Sequence, residues 1–434
     1  MQRRMVMSAK RDLGTAMLAV LATSAAVVAS GAERRLSMED YRDKMAGAWL
    51  GQSAGVAYGA PTEFKTIGAT ILDEKMPTWK PEMINNTFSQ DDIYVEITFL
   101  DVLVRKGIDV TAREAGIEFA NSRYRLWCAN ANARDNLRRG IAAPWCGHPR
   151  FHPTPYDIDY QIEADYSGII APGMPNRAIA LGNTFGAIMN YGDGLYAGQF
   201  IGAMYSEAFF ADDRVAVVEA ALKSIPEESE YAAMVRQVLA DYRANPKDWT
   251  TAWKKVTGEY YYGKKGARYI SCPEIDVRLN GAYVIIGYLF GEGDFSRTVD
   301  IATRCGCDSD CNPSSACGVL GVQLGAKGIP PEYTSGLDKK AKWEFTDYDW
   351  DALVAACEGL VRKVVVAEGG RVERDPAGRE WLVIPVSDPR PNKFEPADRP
   401  GPLPADVRLT DAEMARIGYL PCGWQGAQSE PRKR

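Results

Sequence analysis

The stretch Gly47-Ala-Trp-Leu-Gly51-Gln-Ser-Ala-Gly55-Val-Ala-Tyr-Gly59 decides the fold, because glycine recurs in it at every fourth position. Residues four apart lie on one face of an α-helix, so the spacing predicts a smooth ridge that a second helix can approach closely. Before it, Ser37-Met38-Glu39-Asp40 places an acid three positions after a serine, the pattern of a capped helix start. Ala60-Pro61-Thr62-Glu63 is predicted to end the helix. The stretch therefore indicates a tightly packed helical protein.

Helical patterns continue through most of the chain. Ser89-Gln90-Asp91-Asp92 is predicted to open a second helix, and Gly107 to stop it. Further helices are predicted over Gly182–Phe210, as a pair over 212–244, over Asp276–Phe290 and Asp294–Ala302, and from Asn312-Pro313 onward. Residues 33–363 are thus predicted to form an all-helical domain with irregular insertions near 121–175 and 245–273.

The period of apolar residues changes near Val364. Val364–Val366, Gly370–Val372 and Trp381–Ile384 are predicted strands around the turn Asp375–Gly378. Residues 385–404 contain seven prolines and are predicted to be an extended strap, followed by a short helix over Leu409–Tyr419. Residues 364–434 are therefore predicted to be a small, β-containing and proline-rich appendage to an all-α protein.

The first 32 residues have the composition of a signal peptide. Arg3, Arg4, Lys10 and Arg11 precede an apolar stretch over Leu13–Ala29, and Ser30-Gly31-Ala32 fits a small-residue cleavage site. We expect a protein that is cut after Ala32, has no membrane contact afterwards and is periplasmic or secreted. We also expect it to be a monomer.

Composition narrows the chemistry. The 434 residues carry a net charge of −6 with no basic block, which argues against a nucleic-acid polymer as partner. The two histidines, His148 and His152, lie in a proline-containing stretch without an acidic partner at metal-ligand spacing, and we interpret them as loop residues. Cys128 and Cys146 are close enough in sequence to pair, whereas the cysteines over 305–317 have the spacing of packing residues.

Carboxylates remain the candidates for chemistry. Glu63, the pair Asp91 and Asp92, and the pair Asp308 and Asp310 each lie at a predicted helix junction. One carboxylate suffices to stabilise a helix start, and a second one repels it unless a cation is present. Oxygen ligands of this kind suit Mg²⁺ or Mn²⁺. Capping and solvation are the alternative explanation.

In order and spacing, these motifs resemble the ADP-ribosylglycohydrolase family. The matching segments are Gly59-Ala60-Pro61-Thr62-Glu63, Gln90-Asp91-Asp92, and Cys305-Gly306-Cys307-Asp308-Ser309-Asp310-Cys311-Asn312 with the small-residue helix that follows. The resemblance covers about residues 37–335. It implies an all-α orthogonal helical bundle, two Mg²⁺ or Mn²⁺ ions, and hydrolysis of a glycosidic bond at the anomeric carbon of an ADP-linked ribose.

Site residues follow from the resemblance. It implies Glu63 and Asp92 as catalytic groups. The implied metal ligands are Gln90, Asp91, Asp92, Asp308, Asp310 and Cys311. Positions 90 and 311 depart from the family, which usually has threonine at both, and the sulfur of Cys311 is a soft donor that Mg²⁺ disfavours. The implied substrate-binding residues are Glu163, Asp165, Gly168, Asn190 and Asp193.

Export directs the choice of substrate. ADP-ribosylated proteins are chiefly intracellular, so export argues against this usual substrate and favours a simpler furanoside, a nucleoside or a glycan. The candidate substrates are therefore ADP-ribosyl, ribosyl or related furanosyl compounds, either small molecules or glycans. Aromatic residues in the insertions, such as Trp127, Trp145 and Tyr260–Tyr262, suit stacking on rings, or form the cores of those insertions. The alternatives are an exported ADP-ribose- or sugar-binding protein that has lost catalysis, and a structural protein that keeps only the fold.

Overall fold

Helices account for most of the computed structural model, which describes residues 32–263, 272–396 and 399–418. The α-helices, in chain order, are α1 Met38–Gly59, α2 Asp91–Lys106, α3 Ala112–Ala120, α4 Cys128–Arg138, α5 Asp159–Ile162, α6 Asp165–Ile169, α7 Pro175–Leu181, α8 Ala187–Met189, α9 Asp193–Ala208, α10 Arg214–Leu222, α11 Glu230–Ala244, α12 Trp249–Tyr260, α13 Val277–Phe290, α14 Phe295–Arg304, α15 Cys311–Leu324, α16 Trp350–Ala367 and α17 Asp411–Met414. The strands are β1 Glu33–Ser37, β2 Arg371–Arg374 and β3 Glu380–Pro385.

Helix α1 begins as its sequence predicts, because the Ser37 hydroxyl accepts a hydrogen bond of 3.0 Å from the Asp40 amide. Its glycine ridge lies directly on the backbone of α15. A Cβ atom added at Gly51 would stand 2.2 Å from the carbonyl oxygen of Cys317, and one at Gly55 would stand 2.3 Å from that of Pro313. Only glycine permits this approach, so the ridge fixes the position of α15 against α1.

The small sheet joins the beginning of the described chain to its C-terminal part. Strand β3 lies between β1 and β2 and is antiparallel to both, with Arg35 opposite Val383 in the first pair. Strand β1 was not predicted, because it is short and charged and its partner lies far away along the chain. The antiparallel pair of β2 and β3 agrees with the strands predicted near 372 and 381.

Three local predictions are wrong. Val364–Val366 belong to helix α16, whose buried residues Leu353, Cys357, Leu360, Val361 and Val364 follow helical spacing. Pro313 is the third residue of α15 rather than its first. The stretch predicted to be irregular over 121–175 contains a full helix, α4.

The described residues of the proline-rich segment, 386–396 and 399–404, contain no helix and lie on the helical body, as predicted for an extended strap. Asn176 donates hydrogen bonds to the Ser387 hydroxyl at 3.1 Å and to the Asp388 carbonyl at 3.0 Å. The Tyr196 hydroxyl donates to the Lys393 carbonyl at 3.2 Å. The predicted short helix is present as α17, although Tyr419 lies outside the described residues. The predicted signal peptide, apart from Ala32, also lies outside them. Among the described residues, no helix combines the length and apolar character that a membrane span requires.

Candidate metal centre and catalytic site

The segment after α1 and the segment before α15 are held together by their backbones. The Phe64 amide donates to the Cys307 carbonyl at 3.0 Å, and the Cys307 amide donates to the Thr66 carbonyl at 2.9 Å. The hydroxyls of Thr62 and Ser309 are hydrogen-bonded at 2.8 Å. Two of the three predicted motifs therefore form one contiguous structure, in which Glu63 and Asp308 each lie next to a bonded pair.

The start of α2 completes the cluster. Ligand atoms of Asp91, Asp92 and Cys311 lie within 4.8 Å of one another, as do those of Asp308, Asp310 and Cys311. The Cys311 thiol is common to both groups. Gln90 immediately precedes Asp91, and its half-buried side chain makes no capping hydrogen bond to α2.

Several oxygens in this cluster have no hydrogen-bond partner among the described residues. They are both carboxylate oxygens of Asp92, Oδ2 of Asp308 and Oδ1 of Asp310, all of them buried. Burying ionised carboxylates without partners is costly, so either protons or a cation must neutralise them. Hard oxygen donors fit Mg²⁺ or Mn²⁺ well, whereas the thiol of Cys311 fits these ions poorly. The residues present therefore suit a divalent cation at most of their positions.

Burial and mutual repulsion also change the protonation of the cluster. Burial, reinforced by the neighbouring carboxylates, raises the pKa of Asp92 and that of Asp308 well above the usual range. Burial raises the pKa of Asp310 to about 6. Glu63 stands at the exposed mouth of the cluster, where desolvation and then the charges of Asp310 and Asp91 raise its pKa to about 7. At neutral pH Glu63 therefore populates both protonation states.

A second group of buried carboxylates adjoins the first, and sequence reasoning missed two of its members. Asp157 accepts a hydrogen bond of 2.7 Å from the Ala129 amide, and Asp159 accepts one of 2.5 Å from the Asn130 amide at the start of α4. Glu163, a predicted substrate residue, accepts a hydrogen bond from the Asn130 side chain. The charge of Asp91 contributes to raising the pKa of Asp159 and Glu163, after burial and closer neighbours, so the two groups interact. The close spacing of Asp157, Asp159 and Glu163 along the chain was the sequence pattern that could have indicated this second group of carboxylates.

The other predicted substrate residues have partners inside the protein. Asp165 accepts a hydrogen bond of 2.8 Å from the Tyr205 hydroxyl. A Cβ atom at Gly168 would stand 2.1 Å from the Gly202 carbonyl oxygen, so this glycine serves helix packing. The Asn190 side chain accepts a hydrogen bond from the Tyr160 amide and donates one to the Asp157 side chain. Asp193 accepts a hydrogen bond from the Tyr231 amide. Their contact with a substrate stays a prediction.

The histidines and the candidate cysteine pair have structural roles. His152 is buried, its Nε2 lies 2.8 Å from the Ala129 carbonyl oxygen, and burial lowers its pKa to about 4. His148 makes a similar contact of 3.1 Å with the Gly401 carbonyl. Cys146 donates to the Ile188 carbonyl at 3.0 Å, and within the described parts of the chain neither it nor Cys128 forms a disulfide.

Comparison with known proteins identifies the family of this chain. The family model of ADP-ribosylglycohydrolase matches residues 37–368, so the chain belongs to the ADP-ribosylglycohydrolase family. A solved structure described as an ADP-ribosylglycohydrolase-related protein complex is similar to this chain, with a TM-score of 0.48 and 16% identity. The match covers 75% of this chain and 99% of that one. No curated protein matches the sequence. Membership confirms the predicted family and its helical fold, and it indicates a glycosidic hydrolase as the general class.

Proposed function

We propose that the protein is a metal-dependent glycosidase that cleaves the bond at the anomeric carbon of an ADP-ribosyl, ribosyl or related furanosyl substrate. The observation that carries this proposal is the convergence of carboxylates from three distant segments on one buried cluster with unpartnered oxygens. A purely structural protein has no use for such a costly arrangement. The substrate is a small molecule or a glycan.

The residues that would hold two Mg²⁺ or Mn²⁺ ions are Asp91 and Asp92 from α2 and Asp308 and Asp310 before α15, with the Gln90 carbonyl oxygen and Cys311 completing the sets. When bound, such ions supply positive charge that orients and polarises the hydroxyls of a ribose-type ring.

Glu63 is suited to the proton transfer. Its exposed position at the mouth of the cluster lets it accept a proton from the attacking water. The water oxygen then bonds to the anomeric carbon while the bond to the leaving group breaks. The leaving group takes up a proton from solvent, and Glu63 later returns its own proton to solvent. The carboxylate of Asp92 favours the positive charge that develops on the ring, and it is the alternative base.

A binding protein without catalysis is the second candidate, and Cys311 favours it. This thiol belongs to both ligand groups. Sulfur is a soft donor that Mg²⁺ disfavours, which would weaken the binding of one or both ions.

One experiment separates the two candidates. Purified protein with Mg²⁺ or Mn²⁺ is screened against ADP-ribosyl compounds, nucleosides and furanosyl glycans, beside Glu63→Gln and Asp310→Asn. Asp347→Asn is the matched control, because that carboxylate is fully exposed on the surface. Metal-dependent product release that both site variants lose supports the glycosidase. Ligand binding without release supports the binding protein, and a wild type that binds no metal contradicts both.

We further propose that the mature protein is periplasmic or secreted and begins at residue 33. The charged start, apolar stretch and small-residue exit of residues 1–32 support this. N-terminal sequencing of the protein exported by its native host should give Glu33 first, and an intact Met1 would contradict the proposal.

A further inference from the structure

We propose that Arg125 and Trp127 form a subsite for a negatively charged group of the substrate. The inference rests on the proposed glycosidase function and specifies the class of its substrate. The guanidinium carbon of Arg125 lies 3.7 Å from the centre of the Trp127 ring, so the two side chains are stacked. Trp127 nevertheless keeps 45% of its surface exposed, and Arg125 is exposed as well. The pair thus offers an aromatic ring and a cation to solvent.

The pair stands beside the carboxylate cluster. The indole N–H of Trp127 interacts with Asp91 and favours its ionised form, although burial outweighs this and raises the pKa of Asp91. The residues that follow Trp127 are held firmly, since the Ala129 and Asn130 amides bond to Asp157 and Asp159. The Tyr94 hydroxyl in turn donates to the Arg125 carbonyl at 3.3 Å. The backbone that carries both side chains is therefore held by hydrogen bonds near the carboxylate cluster.

Charge distinguishes this pair from ordinary surface residues. Within the described parts of the chain, Arg125 has no ion pair, whereas Arg105 pairs with Asp101. The guanidinium stacks on the ring of Trp127, so its N–H groups at the edge of that stack can bind a ligand. Planar N–H groups of arginine match phosphate and carboxylate oxygens, and an aromatic face suits a sugar or base ring.

The positive charge of Arg125 favours an anionic substrate. Glu63, which belongs to neither ligand group, would repel a phosphate or carboxylate that is brought next to it. Arg125 supplies a local positive charge at the edge, so the substrate class is a furanosyl compound that carries an anionic group. That group is either a phosphate, as in a nucleoside diphosphate sugar, or the carboxylate of an acidic sugar.

The test uses the full exported chain loaded with Mn²⁺ and calorimetric binding of three probes. The probes are ADP-ribose, galacturonate and neutral methyl β-ribofuranoside. Arg125→Gln should weaken binding of one anionic probe by about tenfold or more, while binding of the neutral probe and of Mn²⁺ stays unchanged. Loss for ADP-ribose identifies a phosphate ligand, and loss for galacturonate identifies a carboxylate ligand. Both outcomes support the subsite.

Trp127 is tested with two substitutions and a remote control. Trp127→Ala should weaken all the ring-containing probes that bind, whereas Trp127→Phe keeps the aromatic face and should restore most of that affinity. The control is Arg379→Gln, because Arg379 also stacks on a tryptophan, Trp381, but on the small sheet. It should leave all affinities unchanged.

The result that overturns the subsite is unchanged affinity of Arg125→Gln for every anionic probe that the wild type binds. It is also overturned if the wild type binds the neutral probe at least as tightly as both anionic ones. Failure of the glycosidase proposal has a different signature, since the wild type would then release no product from any furanosyl compound, whatever Arg125→Gln does to binding.

Discussion

Replacing Gly55 by alanine should both destabilise the protein and weaken its metal centre. An added Cβ would stand 2.3 Å from the Pro313 carbonyl oxygen and 2.8 Å from the Ser314 amide nitrogen, and both are backbone atoms that no rotamer change can move. Ordinary contacts begin near 3.4 Å, so α1 and the start of α15 must separate by about 1 Å. Alanine gains about 1 kcal/mol in helix propensity, but overpacking costs about 1–3 kcal/mol and more where relief is impossible. We expect a net loss of about 2 kcal/mol in the free energy of unfolding.

The same shift should reach the ligands. Asp310 lies immediately before α15, next to the first turn of the helix, which the added methyl group at position 55 would displace. We expect Mn²⁺ affinity to fall about tenfold, the lower end of what disturbed ligand orientation causes. The assays are urea unfolding and calorimetric Mn²⁺ titration.

Gly359→Ala in α16 is the matched control, because nothing lies within 4 Å of its added Cβ. It should stabilise the protein by about 1 kcal/mol and leave Mn²⁺ affinity alone. If Gly55→Ala behaves like Gly359→Ala in both measurements, the close approach of α1 to α15 is not what positions the centre.

Three further results are expected. Asp91→Ala and Asp310→Ala should each abolish tight Mn²⁺ binding while circular dichroism keeps its helical signal, because removing one carboxylate also removes repulsion; unchanged affinity in both would refute the assignment. Cys311→Thr replaces sulfur by oxygen and should lower the Mg²⁺ dissociation constant about tenfold or more, a larger effect than on the Mn²⁺ constant, whereas equal affinity with a lower melting temperature would make position 311 structural. The pKa of His152 is about 4 in the folded protein and near 6.5 when unfolded, so its contribution to stability is present above pH 6.5 and is lost as the pH falls towards 4. Wild type should therefore lose about 2–3 kcal/mol more than His152→Asn between pH 7.5 and 4.5 in urea unfolding, and parallel losses would show that this histidine does not titrate as described.

The features that the sequence predicted are those written in local spacing. The glycines of α1 lie four residues apart, and this pattern can be recognised from the local sequence alone. The carboxylate motifs are likewise short, and their order along the chain is enough to identify the family without any geometry. Their convergence through Cys311 could be stated only as an implication of that resemblance, since the spacing alone left capping as an alternative.

The features that it missed depend on partners far away in sequence. Segment β1 forms a strand because it pairs with β3, and the local sequence around Arg34 and Arg35 does not predict that pairing. Val364 is apolar and β-branched, so local propensity favoured a strand, but its place in the buried face of α16 decided for a helix. Asp157 and Asp159 went unnoticed because their partners are backbone amides of α4, a helix that the sequence did not predict.

The pairing of β1 with β3 also sets the order in which the molecule can be completed. A ribosome delivers β1 and α1 first, yet Gly47 meets its partner Gly321 only when α15 has emerged, and Glu33 meets Pro385 later still. Contacts between such distant residues form slowly. During that interval the glycine ridge of α1 is not packed against α15. A truncation before Glu380 would therefore remove β3 and leave β1, which is distant in sequence, without a pairing strand.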